Sequence, residues 1–320
     1  MTDEHRTLVS QWATQRNRYA LRFAAGFALA ACAPPVNQND ASADATASDA
    51  SVEASTEAGT EAGPGQDPVR IEFAARVGAM PFRCGQQFTN MGMTNTTWTP
   101  KDFRLYIHDV RLVTAAGESP VTLDTVPMFQ GAGVAMLDFE DRTGACSEGT
   151  TETHSVVVGR AMAASVRGIR FKVGVPFMLN HRESSSAPAP LNASALWWTW
   201  NAGYRFLKID GNTTGLAMGY NVHIGSTGCA GNATGPVNPC ANPNVIEVSL
   251  DNYDPTRDNI VMDLAALLAQ SNVDTNQAMS APGCMSGADD MDCREIFGAL
   301  GLPFAGMPAA TQRFFRVEAR

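Results

Sequence analysis

Several things are missing from this chain of 320 residues, and each absence narrows what it can be. There is no basic surplus: 23 Lys and Arg stand against 32 Asp and Glu, for a net charge of −9. Nucleic-acid binding wants a basic face that releases counterions from phosphates, so no nucleic-acid partner is expected. No apolar run is long enough to cross a bilayer; FAAGFALAA, ending at Ala31, falls well short. There is no GxSxG elbow for Ser-His-Asp chemistry and no CxxC pair for a thiolate metal site. The acidic loop GADDMDC (Asp289, Asp290, Asp292) lacks EF-hand spacing and reads as a helix-capping loop. No internal repeat is visible, and residues 33 to 67 contain no aromatic side chain.

What is present begins with an export signal. Arg16, Arg18 and Arg22 precede the short apolar run, which has the proportions of a signal-peptide core. Leu29-Ala30-Ala31-Cys32 resembles a bacterial lipobox, so residues 1–31 are expected to be a lipoprotein signal peptide and Cys32 the lipidated residue. Dual acylation there would anchor the chain firmly to a membrane. Ala33 in place of aspartate favours the outer membrane, facing the periplasm or the cell surface. Residues 32–68 are Ala, Ser, Thr, Gly and Pro with seven acids, too polar to offset the entropy of ordering, and read as a disordered linker.

Residues 69–320 suffice for one domain. Alternating segments such as VRIEFAARV, DFRLYIHDVRLV, VRGIRFKVGV, YNVHIGS and NVIEVSL, broken by Gly, Pro, Asn and Asp, predict an antiparallel β-sandwich. WWTWNAGYRFLKID reads as one more strand, and VGVPFMLNH as a strand ending at His181. Two helices are expected near the C-terminus: Asp258–Gln270 capped by Asp258, and CREIFGALGL following Asp292 and ending at Gly301. After Cys32 an even six cysteines remain, which in an exported protein argues for three disulfides. Short loops suggest Cys229–Cys240 and Cys284–Cys293, leaving Cys84–Cys146, one choice among 15 pairings.

Three of the five tryptophans, Trp197, Trp198 and Trp200, fall within four positions. On a strand Trp198 and Trp200 point one way and Trp197 the other. Core packing alone would explain such crowding. His181 and His223 flank the cluster, however, and two imidazoles that converge on it would suit copper or zinc. Asn180 and Asn221 are candidates to hold the imidazoles from behind, and Met218 is a candidate soft ligand. His108 and His154 read as ordinary polar side chains.

FRLYIHDVRLV, GIRFKVGVPFMLNH, LWWTWNAGYRFLKID, VHIGSTGC and PGCMSGADDMDCREIFGALGLPF, in this order, resemble the metallo-mystery-pair four-Cys proteins, the MbnP-like periplasmic copper proteins. The resemblance runs from about Val69 to Phe304, with Cys229, Cys240, Cys284 and Cys293 as the signature cysteines. It implies a copper-binding protein, not an enzyme. Cu(I) would be held by His181, His223 and a kynurenine that a partner di-haem oxidase (MauG- or cytochrome c peroxidase-like) makes from Trp198 or Trp200. Intact indole is a poor metal ligand, because its nitrogen lone pair belongs to the ring; the opened ring offers an aryl amine. The implied role is periplasmic copper homeostasis. The competing reading is a metal-free β-sandwich interaction module with the same residues as core.

Overall fold

The computed structural model describes residues 65–199, 201–232, 235–236 and 239–320. The signal peptide, nearly all of the linker, Cys32 and Trp200 lie outside the described residues. The first strand begins at Asp67, and none of the described helices is long and apolar enough to cross a membrane.

Two large sheets form the body of the domain, with two small two-stranded ones beside them among the described residues. In the first, β1 (Asp67–Val77) lies between β4 (Val156–Ala161) and β11 (Asp258–Asp263), with β13 (Phe315–Ala319) beyond β11. In the second, the order is β10 (Ile246–Asp251), β5 (Val166–Val173), β2 (Thr96–Thr114), β8 (Leu207–Thr213), β9 (Tyr220–Ile224) and β12 (Gly283–Cys284). The short β3 (Val134–Asp138) pairs with the middle of β2. Most pairings are antiparallel as expected; β1–β11 and β9–β12 are parallel.

The sheets meet through apolar residues spaced two apart. Phe73 of β1 packs edge-on against Phe171 of β5 at 5.7 Å, and Phe171 against Phe315 of β13 at 5.4 Å. Each such ring, fully buried, contributes about 1.5–3 kcal/mol. In β2, Phe103, Leu105 and Ile107 face this core, which places Asp102, Arg104, Tyr106 and His108 on the outer face. Residues Asp102–Ile107 are nevertheless all buried. The segment after β5 covers the outer face: Tyr106 donates to Pro190 O at 3.0 Å, packs edge-on against Tyr204, and Tyr204 donates to Leu191 O at 2.6 Å.

That covering segment departs from the sequence expectation twice. VGVPFMLNH leaves the strand at Val173 and turns into α1 (Phe177–Asn180), with His181 at its C-cap. WWTWNAGYRFLKID is three strands, not one: β6 (Trp197–Thr199) and β7 (Gly203–Tyr204) form a hairpin before β8. Gly203, at φ +78°, makes the reversal. Near the C-terminus DNIVMD is the buried strand β11, and the helix α2 is only Leu264–Leu268, capped by Asp263 rather than Asp258. Ile260, Val261 and Met262 of β11 are all fully buried, so both faces of the strand are covered, as its continuous apolar run requires. α3 (Cys293–Leu300) ends at left-handed Gly301 as expected, but the Asp292 carboxylate accepts from Gln277 N–H and does not cap it. All three expected disulfides are present.

Candidate metal centre

Cross-strand register builds the site. On the outer face of the second sheet, Asp138 lies opposite Arg104, Arg104 opposite Lys208, and Lys208 opposite His223, a row across β3, β2, β8 and β9. All four are at most 7% exposed. Charges buried this deeply must be paired. Arg104 donates from Nε to Asp102 at 2.8 Å, and Lys208 Nζ donates to Asp102 at 2.8 Å, contacts Glu148 and lies 3.3 Å from Asp210. The carboxylates of Asp102, Glu148 and Asp210 cluster as metal ligands would, yet the Lys208 ammonium sits among them and pairs with all three.

His223 ends this row. Its Nε2 is 2.5 Å from Asp210 Oδ1, while its Nδ1 is buried and has no hydrogen-bond partner among the described residues. Burial pushes the Asp210 carboxyl up, but the hydrogen bond with His223 and the charge of Lys208 outweigh it and hold it at about 2. A carboxylate behind one imidazole nitrogen fixes the tautomer and turns the other lone pair forward. Asp210, not Asn221, therefore supports His223.

The aromatic wall is Trp198. Its ring lies 6.3 Å from that of His223, packs against Gly225, where a Cβ would come within 2.7 Å of it, and carries the Arg205 guanidinium 5.2 Å above its face. Arg205 is held by Ala195 O at 2.9 Å. Trp198 lines an open cavity of about 430 Å³ with Asn201, Ser226, Cys229 and Met285. Trp197 packs half-buried against the core on the other side, as the strand alternation requires.

His181 approaches from α1. Its Nε2 lies 3.3 Å from Asn180 Nδ2 and 3.6 Å from Cys240 Sγ, and its ring meets Phe177 edge-on at 5.1 Å. Asn180 Oδ1 accepts from Tyr204 N–H at 2.9 Å and so ties α1 to the tryptophan hairpin. Cys240 is bonded to Cys229, which lines the Trp198 cavity, so this disulfide touches His181 with one cysteine and the cavity with the other. Sulfurs joined in this way offer no thiolate to a metal.

The remaining candidates lie elsewhere. His108 faces a separate cavity of about 480 Å³ beside Lys172 and Phe177, and burial lowers its pKa to about 4. His154 stacks on Phe129 at 4.6 Å. Met218 is solvent-exposed in the β8–β9 turn, beyond the Tyr220 end of β9. Asp290 accepts from Met285 N–H at 2.9 Å and Asp292 N–H at 3.2 Å, which makes the acidic loop internally satisfied. Sequence reasoning missed Asp210, Lys208 and Arg205. The alternation in L-K-I-D was the available signal for the first two.

Such a molecule is a disulfide-stapled, two-sheet β domain with a histidine–tryptophan centre under a covering hairpin. The MbnP family model matches residues 66–286, and the chain belongs to that family. Among solved structures, MbnP from Methylosinus trichosporium is 33% identical and superimposes with a TM-score of 0.72, covering 79% of this chain and 99% of that one. Comparison with curated proteins gives no match.

Proposed function

We propose that this protein is a copper carrier of the cell envelope and not an enzyme. It is anchored through Cys32 and keeps Cu(I) in the service of periplasmic copper homeostasis. His223 and His181 would hold the metal together with a kynurenine made from Trp198 or Trp200 by a partner di-haem oxidase. The observation that carries this reading is the His223 ring: Nε2 on Asp210, Nδ1 buried without a partner among the described residues, and Trp198 alongside. An unsatisfied buried nitrogen costs free energy unless something occupies it, and a neutral imidazole suits copper.

Copper would be cargo here, and the chain's residues would do the positioning. Asp210 turns His223, Asn180 joins the His181 turn to the hairpin, and Gly225, just past β9, leaves room for the edge of the Trp198 ring. Anaerobic titration of the full chain against a chromogenic Cu(I) chelator tests the reading. The expected outcome is one tightly held Cu(I) per chain, and its loss in His223→Ala. Equal stoichiometry and affinity in that variant would overturn it. Peptide mass mapping, after co-production with the oxidase, should find one carbon exchanged for one oxygen at Trp198 or Trp200.

A further inference from the structure

The strand that carries His223 has a neighbour with a thioether. β12 pairs with β9 in parallel, placing Asn221 opposite Gly283 and Val222 opposite Cys284. The next residues along are His223 and Met285. Residues in register leave a sheet on the same face, and successive ones alternate. Carried one residue past the end of β12, the alternation puts Met285 on the His223 side; Met285 lines the cavity with Trp198, and behind that wall the Trp198 ring lies 6.3 Å from that of His223, which does not itself line the cavity.

Its placement is rigid. Met285 N–H donates to the buried Asp290 carboxylate at 2.9 Å, and Cys284 before it is bonded to Cys293. Ser286 after it donates to the His223 carbonyl at 2.8 Å and accepts from Gly225 N–H at 3.0 Å. One short loop thus clamps the backbone of His223, the glycine beneath Trp198 and Met285 together. Methionine usually fills irregular gaps in a core. Met285 is not among the side chains buried in this core; it is half-buried, at the cavity.

We propose that the Met285 thioether is a soft donor to the metal centred on His223, and that it sets the site's preference for Cu(I). The inference rests on the copper reading above. A site of nitrogen donors alone follows the general affinity order and favours Cu(II) among divalent ions; a neutral thioether selects the softer Cu(I).

Copper X-ray absorption on the full chain loaded with Cu(I), wild type and Met285→Leu, tests it. Wild type should show a sulfur neighbour and the variant none. Chelator competition should show Cu(I) affinity about tenfold lower in the variant, with Zn(II) affinity unchanged. A wild-type spectrum with nitrogen neighbours only, or a sulfur neighbour that survives in Met285→Leu, overturns the assignment whatever the affinities. The wild-type spectrum alone can do so should the leucine variant not fold. If His223→Ala keeps full Cu(I) affinity, the copper reading itself fails and Met285 with it; if only the Met285 variant is unchanged, the thioether alone is discarded.

Discussion

Asp210 and Asp138 stand on the outer face of one sheet, both largely buried, and their surroundings tune them in opposite directions. Asp210 has His223 and Lys208 beside it and stays a carboxylate, held at about 2. Asp138 has burial against it, with the charges of Asp102 and Glu140 adding to that, and Arg104 and the Glu140 N–H only partly offset them; it is pushed up to about 7. The folded chain therefore keeps a proton on Asp138 across a window in which the unfolded chain, with an ordinary aspartate, has released it. Where the folded state binds more protons, stability falls as pH rises. Between about pH 4 and about pH 7 this group should make the protein steadily less stable, and the loss should be complete above that window. Asp138→Asn keeps an oxygen to accept from Glu140 N–H and removes the titration. Urea midpoints measured across the window should fall less steeply with pH in the variant than in wild type, and equal slopes would discard the assignment.

At the scale of elements, the tryptophan hairpin depends on its glycine. Gly203 adopts φ +78°, and a Cβ there would lie 2.5 Å from the Asn180 side chain, which holds Tyr204 N–H and neighbours His181. Gly203→Ala should cost about 1–3 kcal/mol through backbone strain and this clash. Tryptophan fluorescence, to which Trp197, Trp198 and Trp200 contribute, and the thermal midpoint should shift together, whereas a midpoint change with unaltered fluorescence would mean that hairpin and site are uncoupled. Little of this hairpin was legible beforehand. W-W-T-W reads as a continuous strand because aromatic and β-branched residues favour one, and only the bend at Asn201-Ala202-Gly203 says otherwise. The alternation in D-F-R-L-Y and L-K-I-D did mark one apolar and one charged face. A charged face ordinarily meets water, so the pattern gave no sign that residues 177–206 would cover Tyr106 and flank Arg104, or that Lys208 would be buried beside Asp210, the support of His223. The two short cysteine pairs were legible from their spacing, and Cys84–Cys146 followed as the pair left over. Asp210 and Met285 were not, because their importance comes from register with strands distant in the chain.

Across the whole molecule, the three disulfides divide stability from site geometry. Cys84–Cys146 closes 62 residues, whereas Cys229–Cys240 and Cys284–Cys293 close 11 and 9. Loop-closure entropy makes the first worth about 4 kcal/mol and the short pairs about 3 each, so stability alone ranks the long staple highest. Placement ranks them the other way. Cys84–Cys146 fastens the loop after β3 below the second sheet, and neither residue lines the Trp198 cavity. Cys284–Cys293 fixes the loop that clamps the His223 carbonyl, and Cys229–Cys240 joins the residue beside His181 to the Trp198 cavity. Replacing Cys84 and Cys146 together by alanine should lower the unfolding midpoint most while leaving Cu(I) affinity near wild type. Replacing Cys284 and Cys293 together should lower the midpoint less and the affinity more. The crossing of those two orders, read from thermal unfolding and chelator competition on the same samples, is the expected result. If affinity simply follows stability in both variants, the centre is held by the fold at large and not by its own staples.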